Sequence, residues 1–162
     1  MLIGIISDVH DNIWALDDVL TELSDCDVLL CLGDLCAPFT MTAIGEGFDG
    51  PVHLVWGNND GDKVTVTKSA SKVGNVTIHG VFAELVLDGR SVAMTHYPHI
   101  AKALAANARY DLVCYGHSHE GEETVMGRTL LLNPGEVMGR LGEHSFARYD
   151  TDAGEAKVSQ LG

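Results

Sequence analysis

The chain has 162 residues, 46% of them apolar, with 18 glycines and a formal net charge of −13. That length suits one domain over residues 1–162 and supports a core without disulfide or metal staples. Ten Lys and Arg against 23 Asp and Glu exclude tight binding to long nucleic acid, which needs basic patches to release counterions, and no apolar run approaches the ~20 residues that span a bilayer.

Leu2 to Ser7 is a continuous apolar run ending at Asp8, which predicts a buried strand. It is short and lacks a basic segment before it, so it reads as a strand rather than a signal peptide, and the expected location is cytoplasmic. Asn12 to Ser24 carries Ile13, Leu16, Leu20 and Leu23 at helical spacing. Val28 to Leu32 predicts a second buried strand, ending at Gly33-Asp34, and Phe39 to Glu46 a short helix. Val52 to Trp56 predicts a third strand, ending at Gly57-Asn58. Asp62 to Lys72 is ambiguous, because its β-branched residues lower helix propensity while no clean alternation marks a strand.

Asn75 to Ile78 and Ala83 to Leu87 read as strands, and Asp88-Gly89 as the turn of a hairpin into Ser91 to Thr95. Ile100 to Ala108 reads as an alanine-rich helix, and Leu112 to Tyr115 as a buried strand ending at Gly116-His117. Gly127-Arg128 predicts a further hairpin turn, and Ala147 to Tyr149 pairs with Lys157 to Ser159 in a last one. A βαβαβ half followed by hairpins predicts an α/β layered fold, with one mixed sheet or two packed sheets.

Polar residues recur just past the apolar strands. Asp8-x-His10, Gly33-Asp34, Gly57-Asn58-Asn59-Asp60, Thr95-His96 and Gly116-His117-Ser118-His119 would all meet at one edge, where α/β sheets build their sites. Singly, each has a plain structural reading: capping Asp, turn Asn, half-buried His. Together, Asp8, His10, Asp34, Asn58, His96, His117 and His119 form a mixed carboxylate, amide and imidazole set. Such a set suits Mn²⁺, Fe²⁺, Zn²⁺ or Ni²⁺. Seven ligands exceed what one catalytic ion with an open position takes, and fit two ions sharing a carboxylate. Bound ions would also reconcile an acidic chain with an anionic substrate.

In this order the motifs resemble the calcineurin-like metallophosphoesterase superfamily, and in length its small archaeal and bacterial phosphodiesterase branch. Asn12 and Asn133-Pro134-Gly135 extend the likeness, which covers roughly residues 1 to 150. The resemblance implies two mixed β-sheets packed as a sandwich flanked by helices. It implies that Asp8, His10, Asp34 and His119 hold one ion, and that Asp34 bridges to a second completed by Asn58, His96 and His117. Mn²⁺ leads the candidate ions. The implied activity is hydrolysis of small phosphodiesters by a metal-bridging hydroxide, with Asp34, Asn58 and His96 in catalytic roles and Asp60 orienting a ligand imidazole. The alternative is a non-catalytic scaffold of the same fold, as in one eukaryotic trafficking subunit. Whether the chain forms a homo-oligomer stays open.

Three departures stand out. Asn59 replaces a His that helps the leaving group in many members, so no general acid is assigned. Tyr97-Pro98 separates His96 from His99 where the branch has His-Gly-His. Glu136 stands where Ser is usual, adding negative charge that bears on substrate choice if it faces the site. His53, His79 and His144 read as structural, without partners in sequence, while His99 lies near His96. None of Cys26, Cys31, Cys36 and Cys114 forms a CxxC pair; Cys31 and Cys114 read as buried hydrophobes and Cys36 as a bystander or a neighbour of the site.

Overall fold

The computed structural model describes residues 1–162. Strands β1 (Leu2–Ile6), β2 (Val28–Cys31) and β3 (Val52–Leu54) alternate with helices α1 (Ile13–Glu22), α2 (Pro38–Gly47) and α3 (Lys63–Val73). Then come β4 (Val76–Ile78), β5 (Phe82–Leu87), β6 (Arg90–Thr95), α4 (Pro98–Ala106), β7 (Leu112–Cys114), β8 (Gly121–Met126), β9 (Thr129–Pro134), β10 (Ser145–Asp150) and β11 (Glu155–Gln160). One sheet runs β11-β10-β1-β2-β3-β4 and the other β5-β6-β7-β9-β8, both mixed. This is the two-sheet α/β sandwich that the sequence pattern and the resemblance led us to expect.

Three apolar clusters make four layers. Leu16, Val19 and Leu20 of α1, with Met41, Ile44 and Val66, pack on one face of the first sheet. Ile5, Leu30, Leu32, Met94, Cys114 and Leu132 fill the space between the sheets. Ala101 and Ala105 of α4 cover the second sheet over Val113 and Leu131. Strands β1 and β2, buried on both faces, need the unbroken apolar runs seen in the sequence. The inward face of α1 is centred on Leu16, Val19 and Leu20; Ile13 sits at its exposed start.

The ambiguous segment is α3. The Asp62 side chain accepts from the Thr65 amide at 3.0 Å and caps its start, and Gly74, at φ 90°, closes its end in the left-handed region. Val66 and Ala70 bury one stripe, which outweighs the modest propensity cost of the β-branched residues. No helix is long and apolar enough to cross a membrane.

Candidate metal centre

The loops after β1, β2, β3, β6 and β7 open at one end of the sandwich and bring the seven predicted ligands together. Asp8, His10 and His119 form one group of donor atoms, and Asp34, His96 and His117 a second, each within 4.8 Å. In the first, Asp8 Oδ1 lies 3.6 Å from His10 Nε2 and 3.4 Å from His119 Nε2. Donors about 2.1 Å from a tetrahedral ion stand about 3.4 Å apart, so these separations fit one ion. Asp34 Oδ2 lies 3.6 Å from His10 Nε2 and 3.4 Å from His96 Nε2, between the groups. Asn58 Oδ1 meets His96 Nε2 at 3.0 Å, which adds the amide to the second group.

The buried polar atoms test whether a cation fits. Asp8 is fully buried; its Oδ2 accepts from Ser7 Oγ at 2.5 Å and the His117 amide at 2.9 Å, while its Oδ1 has no partner. His10 Nε2 is likewise buried and unpartnered. The Nδ1–H of His96 donates to the Leu32 carbonyl at 2.8 Å, so in the neutral ring Nε2 is a lone pair facing two acceptor oxygens. Converging acceptors without a donor are costly unless a positive charge sits among them. The residues fit divalent cations.

The backbone is bent to make this convergence. Asp8, His10, Asp34, His117 and His119 have φ of 54°, 43°, 54°, 72° and 61°. Left-handed backbone costs a non-glycine residue about 1–2 kcal/mol and clusters at functional sites. Close approach also demands glycine beside two ligands. A Cβ on Gly57 would overlap Asp34, and one on Gly116 would overlap Ser7 and come within 2.8 Å of Asp8 Oδ2.

Charge follows the geometry. Burial alone would raise the Asp34 pKa, but His96 and the Asn59 amides outweigh it and hold the carboxyl well below the usual carboxylate range. Proximity to Asp8 raises His10 against burial, with Asp34 adding to the rise. Burial acts to lower His96, yet Asp34 and Asp8 prevail and raise it.

Several neighbours hold positions the sequence did not reveal. Asp60 does not orient an imidazole. It is buried, and its two oxygens accept from the amides of Asp34, Leu35, Cys36 and Gly57 at 2.7–3.1 Å, so it shapes the Asp34 loop. Asn59 donates to both Asp34 oxygens, from its amide and its carboxamide, at 2.7 Å each. Asn133 donates to the Gly116 carbonyl and to Ser118 Oγ, which fixes the His117–His119 loop. Glu136 does not face substrate: it is fully buried behind His119. Cys36 Sγ lies 3.5 Å from His10 Nδ1, beside the site. Tyr97 packs edge-on against His96, and His99 is exposed beyond it, outside both groups. His53 and His79 do have partners, each other, with ring nitrogens 2.9 Å apart on β3 and after β4. Next to His119, Glu120, Glu122, Glu123 and Glu143 line an open cavity of about 480 Å³.

Known proteins resemble the chain in sequence and fold. A phosphodiesterase of Methanocaldococcus jannaschii is 28% identical over 160 residues, 96% of each chain. The structure of an archaeal phosphodiesterase superposes with a TM-score of 0.91 at 26% identity, over 99% of this chain and all of that one. The Escherichia coli phosphoesterase Yfce (TM-score 0.72, 20% identity, all of both chains) and zinc-bound Vps29 of Entamoeba histolytica (0.69, 19%, 99% and 98%) share the fold. The calcineurin-like phosphoesterase superfamily domain matches residues 1–154. With that match, five strand ends converging on two donor groups, and the shared sandwich, the chain belongs to the calcineurin-like phosphoesterase superfamily, the metal-dependent hydrolases of phosphate esters.

Proposed function

We propose that the chain is a dinuclear phosphodiesterase acting on small phosphodiesters in the cytoplasm, with Mn²⁺ the leading ion and Ni²⁺, Fe²⁺ or Zn²⁺ as alternatives. One observation carries the reading: Asp34 Oδ2 lies between His10 Nε2 and His96 Nε2, at 3.6 and 3.4 Å, so one carboxylate serves both groups. Asp8, His10 and His119 hold one ion, and Asn58, His96 and His117 the other. The ions supply Lewis acidity and activated water near neutral pH.

The chain's own groups do the rest. Asn59 fixes both Asp34 oxygens, and the Leu32 carbonyl fixes the His96 tautomer, so neither ligand needs to reorganise during turnover. Asn58 and His117 are the exposed members, and substrate approaches over them. Asn59, committed to Asp34, is no general acid, which favours esters whose leaving group departs without a proton. The glutamates beside His119 repel polyanions and favour a substrate carrying a single charged phosphate. The phosphodiesterase relatives support the diester reading, and a full ligand set argues against a scaffold role.

The test is hydrolysis of a chromogenic phosphodiester with added Mn²⁺ by wild type and Asp34→Asn. The variant should lose at least about 10²-fold in kcat, the scale of a displaced catalytic group. Near-normal turnover would remove Asp34 as the bridge.

A further inference from the structure

We infer that Glu136 is a positioning residue, which fixes the tautomer of His119 and makes the Asp8–His10–His119 group the tighter of the two ion sites. The inference rests on the dinuclear reading. Glu136 Oε1 accepts the amides of Leu141 and Gly142 at 2.6 and 2.5 Å, which locks the carboxylate in place. Its Oε2 is 2.5 Å from His119 Nδ1 and, as a carboxylate oxygen, accepts. The imidazole must therefore carry its proton on Nδ1. That leaves Nε2 as a lone pair, 3.4 Å from the unpartnered Asp8 Oδ1.

Glu136 is fully buried, and its one ion-pairing neighbour is His119. A buried carboxylate without a lysine or arginine demands positive charge nearby. An ion on His119 Nε2 supplies it through the ring, and the carboxylate in turn makes the imidazole a stronger donor. The second group lacks this backing. His96 leans on the neutral Leu32 carbonyl, and Asn58 contributes no charge. Apart from the shared Asp34, the first group thus has two carboxylates, Asp8 and Glu136, where the second has none.

The experiment titrates metal-free full-length protein with Mn²⁺, following free ion by electron paramagnetic resonance, for wild type and Glu136→Gln. In the variant the loop amides keep the carboxamide oxygen, so the NH₂ turns to His119 Nδ1 and selects the Nε2–H tautomer, which cannot ligate. Wild type should show two unequal binding steps. The variant should weaken the tighter step about 10–100-fold and leave the other within about threefold. Nitrogen-15 spectra of neutral His119 in the metal-free wild type should show the proton on Nδ1. An unchanged tight step overturns the inference, as does a wild-type His119 protonated on Nε2. Should the variant fail to fold, the wild-type spectrum decides. Wild type saturating below two ions refutes the dinuclear reading, and the His119 tautomer still tests Glu136 separately.

Discussion

Gly57→Ala should disable the enzyme by adding one methyl group. A Cβ there would sit 2.6 Å from the Asp34 amide nitrogen and 2.8 Å from its Cγ, and nearer still to Oδ1. Comfortable contact begins at about 3.5 Å, so the Asp34 carboxylate must retreat by more than about 1 Å. It cannot do so without leaving the Asn59 amides at 2.7 Å and the gap between His10 and His96. Overpacking of this kind costs about 1–3 kcal/mol, or roughly 2–12 °C in Tm for a domain of this size. A 1 Å misplacement at the reacting centre costs about 10²-fold in rate. The assay pairs thermal melts with initial rates on a chromogenic phosphodiester. Gly74→Ala is the control: it has φ 90° with nothing within 4 Å of the added Cβ, so it loses about 1 kcal/mol through backbone strain alone and keeps its rate. Should Gly57→Ala turn over like Gly74→Ala, Asp34 is not held where the chemistry happens.

Asp60→Asn replaces an oxygen that accepts two backbone amides with a donor facing them, and should cost about 3 kcal/mol or more in urea unfolding, with activity falling alongside; an unchanged midpoint would contradict the loop-shaping role. Burial lowers the pKa of both His53 and His79, and for His53 the charge of its partner adds to the effect. The fold therefore favours their neutral forms, and that stability is full above about pH 6.5 and lost as pH falls through their depressed values. In chelator, the urea midpoint of wild type should fall more steeply below about pH 6.5 than that of the His53→Leu/His79→Leu double variant, and equal slopes refute the pairing's role. Saturating Mn²⁺ at about 100 times its Kd should add about 2.7 kcal/mol, hence about 5–11 °C in Tm, reversed by chelator; a Tm indifferent to metal would mean that neither group binds it.

Much of the fold and most of the two donor groups are legible in sequence for one reason. Buried strands must be apolar, so the polar residue that ends each run marks both a strand end and a candidate ligand. Asp8, Asp34, Asn58, His96 and His117 each follow such a run. Local composition is less decisive at α3, where Val64, Thr65, Val66 and Thr67 obscure a helix that Asp62 and Gly74 delimit. The supporting contacts are hidden because they join residues far apart in the chain. Glu136 reaches His119 only once β9 lies beside β7, and His53 meets His79 only through the parallel register of β3 and β4. Asp60 had a nearer signal, an acid three residues past Gly57 in a tight turn, but its partners in the Asp34 loop lie 24 to 26 residues away.

Each donor group draws on both sheets: Asp8 and His10 face His119 across the sandwich, and Asp34 faces His96 and His117. The site is thus a pair of jaws, and Leu30, Leu32, Met94 and Cys114 between the sheets are the shim that sets the gap. Close-packed interiors transmit the volume of a single methylene. A substitution in that shim would open or narrow the jaws without changing a donor atom, so the spacing between the donor groups rests partly on side chains that carry no donor of their own.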